Sequence, residues 1–119
     1  RITAISNASS LLLGTINLRG QIVWVADLGQ FLGDVEVLDT ERAEIPVIAV
    51  EDQETILGLA VDRLGGMEWL DVEQLQMPTQ VPDEVAPYVQ GEWVLTEQEN
   101  QFLRLLDQLA ILRSARLVT

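Results

Sequence analysis

Apolar and polar positions alternate most clearly between Gly14 and Gly33. Residues 15–18 are a short apolar run, Arg19 and Gly20 interrupt it, and residues 22–26 are β-branched, aromatic and small apolar. That pattern predicts two strands joined by a tight turn, with Gly20 supplying a positive φ. Asp27 then stands where the second strand stops and a short helical turn over 28–32 begins. Its carboxylate can accept the free N–H groups of that helix start. Gly14 and Gly33 punctuate the unit.

The rest of the chain reads as further short elements. Residues 1–5 suggest the end of a strand. The cap formers Ser9 and Ser10, the run 11–13 and then Gly14 predict one helical turn over 8–13, closed by the glycine. An acidic loop over 34–44 leads to two strands, 45–50 and 55–61, joined by a polar turn. Gly65 and Gly66 suggest a bulge or sharp bend, with a strand continuing over 67–70. Asp71 heads a capped turn over 71–75, and Pro78, Pro82 and Pro87 mark a loop with a helical turn over 83–88. Strands follow at 92–95 and 102–106, then a C-terminal helix over 107–117 with Arg113 and Arg116 near its negative end.

One pattern recurs. Gly14 opens a strand–turn–strand unit that ends at Asp27 and an apolar turn, and Gly91 opens a second that ends at Asp107. The glycine-to-aspartate spacings are 13 and 16, and the extra residues fall in the turn, where insertion is tolerated. Two such units imply two similar small sheets and an all-β sandwich or barrel class.

Charge narrows the function. The net charge is −12, with 19 acids against 7 bases, and every base is Arg. No basic footprint is available for nucleic acid or for an anionic membrane surface. No apolar run approaches the ~20 residues needed to cross a bilayer. There is no Cys and no His. Thiolate nucleophiles, imidazole bases and the usual zinc ligand sets are therefore excluded, and the serines have no His or Lys to activate them. The acid pairs Glu51/Asp52 and Asp62/Asp71 have no EF-hand spacing and read as solvated faces. An enzyme is disfavoured, and no cofactor or metal is expected. Trp24 is expected in the core, whereas Trp69 and Trp93 suit either core or interface. Arg19, a cation at a hairpin tip, is either a solubility device or a presented contact.

Gly14, Ile16, Asn17, Leu18, Arg19, Gly20, Ile22, Val23, Val25, Asp27 and Leu28 resemble the signature block of CheW-like domains. Leu57, Gly58, Leu59, Val61 and Asp62 resemble that family's second block, and 91–107 its closing pair of strands. The resemblance covers residues 1–119 as one CheW-like domain. It implies two SH3-like β-barrel subdomains packed together, with short helices. It also implies a non-catalytic cytoplasmic adaptor that couples chemoreceptor tips to a CheA-type histidine kinase. The receptor contact is expected at Arg19 with Asn17, and at Val47, Gly58 and Leu64; the kinase surface is not placed. The alternative is the CheW-like regulatory domain of such a kinase, or a CheW–receiver fusion. Two departures stand out. The strands that usually precede the segment matching 2–5 are missing here, which predicts an open strand edge, a truncated piece, or a homo-oligomer or strand swap. Trp24 and Ala26 replace other residues common in the motif strand.

Overall fold

The computed structural model describes residues 1–119 except 6–8, 35, 97 and 119. The chain is mostly β with a few short helices, and it divides into two units. One comprises Arg1–Leu64 with Leu112–Thr119, the other Gly65–Ile111.

In the first unit, β1 (Leu12–Leu18), β2 (Gln21–Asp27), β3 (Val47–Asp52) and β4 (Thr55–Ala60) form one sheet in the order β1-β2-β4-β3. β1/β2 and β3/β4 are antiparallel hairpins, and β2 lies parallel to β4. The inner strands carry the core: Val23, Val25, Ala26, Leu57, Leu59 and Ala60 are buried. A strand paired on both sides has the least contact with water, which is why these runs are almost continuously apolar. Phe31 of helix α1 (Leu28–Phe31) is fully buried as well. Asp27 caps that helix by accepting from the Gln30 amide at 3.2 Å, and its other oxygen accepts from the Leu38 amide at 3.1 Å. One buried carboxylate thus fixes both the helix and the acidic loop.

The second unit holds β5 (Val89–Thr96) and β6 (Gln101–Leu106), an antiparallel pair, followed by helix α2 (Gln108–Leu112). Single 3₁₀ turns occur at Val72–Gln74, Ala86–Tyr88 and, back in the first unit, Ala115–Val118. The repeat read from the sequence is present in detail. Gly14 and Gly91 each follow a register shift, between Leu12 and Gly14 and between Val89 and Gly91. The residue after each glycine forms an isolated bridge, Thr15 with Thr3 and Glu92 with Gln76. Asp27 N–H donates to the Leu11 carbonyl and Asp107 N–H to the Tyr88 carbonyl, both at 2.9 Å. Each aspartate then caps its helix, Asp107 through the Ala110 amide at 3.0 Å.

Four expectations are corrected. The helical turn over 8–13 is absent among the described residues: residues 10–11 are a turn, and Leu12 and Leu13 already belong to β1. Gly14 is a point of close approach instead of a helix stop. With φ +148° its Cβ position falls 2.0 Å from the Thr3 carbonyl oxygen. No strand continues over 67–70; residues 63–69 are exposed and unpaired. The C-terminal helix ends at Leu112. Beyond it, Arg113 pairs with Asp52 at 2.9 Å, and Arg116 donates to the Phe31 carbonyl at 3.0 Å while stacking 4.5 Å over the Phe31 ring. The Ser9 hydroxyl donates to the Arg116 carbonyl at 3.1 Å. These tertiary contacts draw the last turn off the α-helical path. Finally, Trp24 is not a core residue: it is 40% exposed. It faces Thr15 across the hairpin, on the side opposite buried Val23 and Val25.

Candidate partner-binding site

The β1–β2 hairpin is closed by Arg19 at φ +54° and Gly20 at φ +83°. Two successive left-handed residues make the primed turn whose twist matches the flanking strands. Glycine is at ease there, whereas arginine is not, and L-residues in this region cost ~1–2 kcal/mol. Asn17 offsets part of that cost, since its Oδ1 accepts from the Gly20 amide at 2.9 Å. Arg19 is exposed, with no salt bridge described for it. The guanidinium therefore stands at the tip of a braced turn, free to offer its fork of donors to an acceptor.

One face of the same hairpin is apolar and open. Asn17 lies opposite Ile22 and Thr15 opposite Trp24. Ile22 is 65% exposed and Trp24 40%. Sequence reasoning missed this pair. The signal was available: strict alternation along β2 places 22 and 24 on the face opposite buried 23 and 25.

The other sequence-predicted residues fall into three settings. Asn17 and Val47 line one cleft of about 740 Å³ in the first unit, between the edge strands β1 and β3. Gly58 is buried on β4, outside the lining of that cleft. A Cβ there would come 2.9 Å from Val47 Cγ1 and 3.2 Å from Val25 Cγ2, so Gly58 is what lets Val47 sit down on the sheet. Leu64 is 60% exposed at the end of the unit, outside the lining of that cleft. The structure thus brings Asn17 and Val47 to one cleft and sets Gly58 against Val47, whereas neither Arg19 nor Leu64 lines that cleft.

Sequence reasoning also missed Glu92, the one fully buried acid with an ion pair among the described residues. Its carboxylate accepts from the Thr79 hydroxyl at 2.8 Å and faces Arg104 Nε at 3.5 Å. Burial alone would push the carboxyl up, but the Thr79 hydroxyl and amide together with the Arg104 guanidinium outweigh it and hold Glu92 below its ordinary value. Arg104 also donates to the Thr79 carbonyl at 3.1 Å, so the trio ties residues 79, 92 and 104 together. Its position directly across from Arg104 in the β5–β6 register was the readable signal. Of the acids considered for chemistry, Asp62 pairs with Arg42 at 3.1 Å, Asp52 with Arg113, and Asp71 caps the Val72–Gln74 turn. Among the described residues no group of three acids could hold a metal ion, and no helix is long and apolar enough to cross a membrane.

The family model of the CheW-like domain matches residues 1–116. The chain belongs to the CheW-like domain family. Among solved structures it is similar to the scaffolding protein TtCheW from Thermoanaerobacter tengcongensis, with a TM-score of 0.73 at 24% identity. The similarity covers 90% of this chain and 66% of TtCheW, so this CheW-like chain spans just under two thirds of that scaffold's length. The mostly β architecture in two units is the fold of TtCheW, which has two SH3-like subdomains. No curated protein matches the chain. The family model runs across both units and includes the hairpin, Gly58 and the Gly91–Asp107 repeat.

Proposed function

We propose that residues 1–119 act as one CheW-like domain, a non-catalytic cytoplasmic adaptor. It couples the cytoplasmic tip of a chemoreceptor to a CheA-type histidine kinase. The observation that carries this reading is Arg19. A side chain held in a conformation that favours glycine, braced by Asn17 and projected beside exposed Ile22 and Trp24, suits a contact presented to a partner. Family membership and the likeness to a scaffolding protein support it. A sequence without His, Cys or Lys has little to offer catalysis and works best through its surface. In this reading Arg19 meets carboxylate or carbonyl oxygens of the receptor tip, and Asn17, Val47 and Leu64 supply the flanking contact. Gly58 acts through Val47, whose seat it permits.

The test is a titration of the chain against an isolated receptor tip and against the kinase regulatory domain, with binding to both expected. Arg19→Ala weakens the tip by ~2 kcal/mol, the cost typical of a central interface arginine. That is about a 30-fold rise in Kd at 1.4 kcal/mol per decade. The circular dichroism spectrum and kinase binding stay unchanged. If neither partner binds, the adaptor reading is wrong; if Arg19→Ala unfolds the chain, Arg19 is structural.

A further inference from the structure

Two hairpins of the first unit's sheet close with two-residue turns. Leu18 faces Gln21 across one, and Asp52 faces Thr55 across the other. Each turn opens with a left-handed residue that is not glycine, Arg19 at φ +54° and Gln53 at φ +57°. Among the described hydrogen bonds only the first turn has a side-chain brace, the Gly20 amide donating to Asn17 Oδ1 at 2.9 Å. At the second, the flanking Asp52 carboxylate is committed to Arg113 at 2.9 Å. A two-residue turn thus closes in this sheet without a brace, and hairpin closure does not account for Asn17. Packing does not hold the Arg19 turn either: at Gly20 nothing lies within 4 Å of a Cβ. The Gly20 N–H belongs to the rigid peptide plane that begins at the Arg19 carbonyl, so anchoring it fixes ψ at Arg19. With φ already in the left-handed well, the direction in which the Arg19 side chain leaves the hairpin is then set.

We infer that Asn17 is the positioning residue of the Arg19 contact: the larger part of its role in partner binding is to aim the guanidinium through the main chain of the turn, and its own contact is the smaller part. This rests on the reading of Arg19 as a contact presented to a receptor tip. The device is preorganisation. A braced turn loses its freedom when the chain folds and not when the partner arrives, so the partner meets a donor fork already aimed. Asn17→Ala releases the Gly20 amide to water and leaves Arg19 to drift from a conformation that L-residues disfavour. Asparagine suits the place, since its short side chain reaches a neighbouring amide much as a helix cap does.

NMR of the chain alone and a double-mutant cycle test this. In Asn17→Ala the Gly20 amide exchanges about fivefold faster, the loss of one ordinary hydrogen bond, and the Arg19 amide loses order. Asn17→Asp keeps an acceptor at the same place and leaves both close to native. The Kd for the receptor tip rises about fivefold in Asn17→Ala. In an Arg19→Ala background the same substitution moves that Kd by less than about twofold, because no guanidinium is left to aim. Binding to the kinase regulatory domain is unchanged throughout. An Asn17→Ala chain whose Gly20 exchange and Arg19 order match the native chain overturns the inference. So does an equal loss of tip affinity in the two backgrounds. A native chain that ignores the tip defeats the adaptor reading instead, and the NMR readout, which needs no partner, still decides whether Asn17 aims Arg19.

Discussion

Gly14→Ala is the sharpest structural perturbation available, because the new methyl group has nowhere to go. Its Cβ would lie 2.0 Å from the Thr3 carbonyl oxygen and 2.6 Å from the Thr3 carbonyl carbon. Both are main-chain atoms, which cannot rotate aside as a long side chain would. The φ of +148° adds strain of roughly 1–3 kcal/mol for any residue but glycine. The cheapest relief is for residues 1–5 to leave β1. That breaks the two bridge hydrogen bonds, Thr3 N–H to Thr15 O at 2.8 Å and Thr15 N–H to Thr3 O at 2.9 Å. At about 0.5–1.5 kcal/mol each they add ~1–3 kcal/mol. The combined cost is about 4 kcal/mol, with the mid-range values of both effects. Hydrogen exchange resolves it. Protection at the Thr3 and Thr15 amides falls on the order of 1000-fold at 1.4 kcal/mol per decade. Amides of the buried β2–β4 pairing lose far less. Unchanged protection at Thr15 would show that the chain does not make this approach.

Three further outcomes follow from other parts of the structure. Phe31→Ala removes a fully buried ring from under Arg116 and should cost ~3–5 kcal/mol in a urea titration of the first unit; a loss below ~1 kcal/mol would mean that the ring packs against little. Glu92 has a folded-state value below its unfolded one. Its carboxylate therefore stabilises the second unit fully above the ordinary carboxylate range, and that contribution is lost as pH falls through the lowered folded value. Urea midpoints should drop with acid more steeply for the native chain than for Glu92→Gln, and parallel slopes would contradict the assignment. Trp24→Ser should cost well under the ~3–5 kcal/mol of a fully buried Trp, since the ring is 40% exposed, yet weaken tip binding. A large stability loss would return Trp24 to the core.

Much of the fold was legible because it is locally encoded. The β1–β2 hairpin announces itself through Gly20 between two apolar runs, and Asp27 and Asp107 mark helix starts by cap chemistry that needs no distant partner. The repeat was readable for the same reason. What failed depends on residues far along the chain. Gly14 looked like a helix stop until Thr3 came to lie against it. The C-terminal helix looked continuous until Arg113 and Arg116 found Asp52 and Phe31. Residues 67–70 have a strand's composition but no neighbouring strand among the described residues, and composition alone cannot supply one. The candidate site was half legible. Its motif residues are readable in order, whereas the meeting of Asn17 and Val47 at one cleft, the seat that Gly58 makes for Val47, and the exposure of Ile22 and Trp24 are properties of the folded sheet.

The decisive measurement pairs stability with binding in Arg19→Asn. Asparagine accepts the left-handed turn conformation more readily than arginine. The variant should melt at or slightly above the temperature of the native chain while its affinity for the receptor tip falls about 30-fold, the equivalent of ~2 kcal/mol. A variant that melts as expected but binds the tip as tightly as the native chain contradicts the claim that the chain works by presenting this cation.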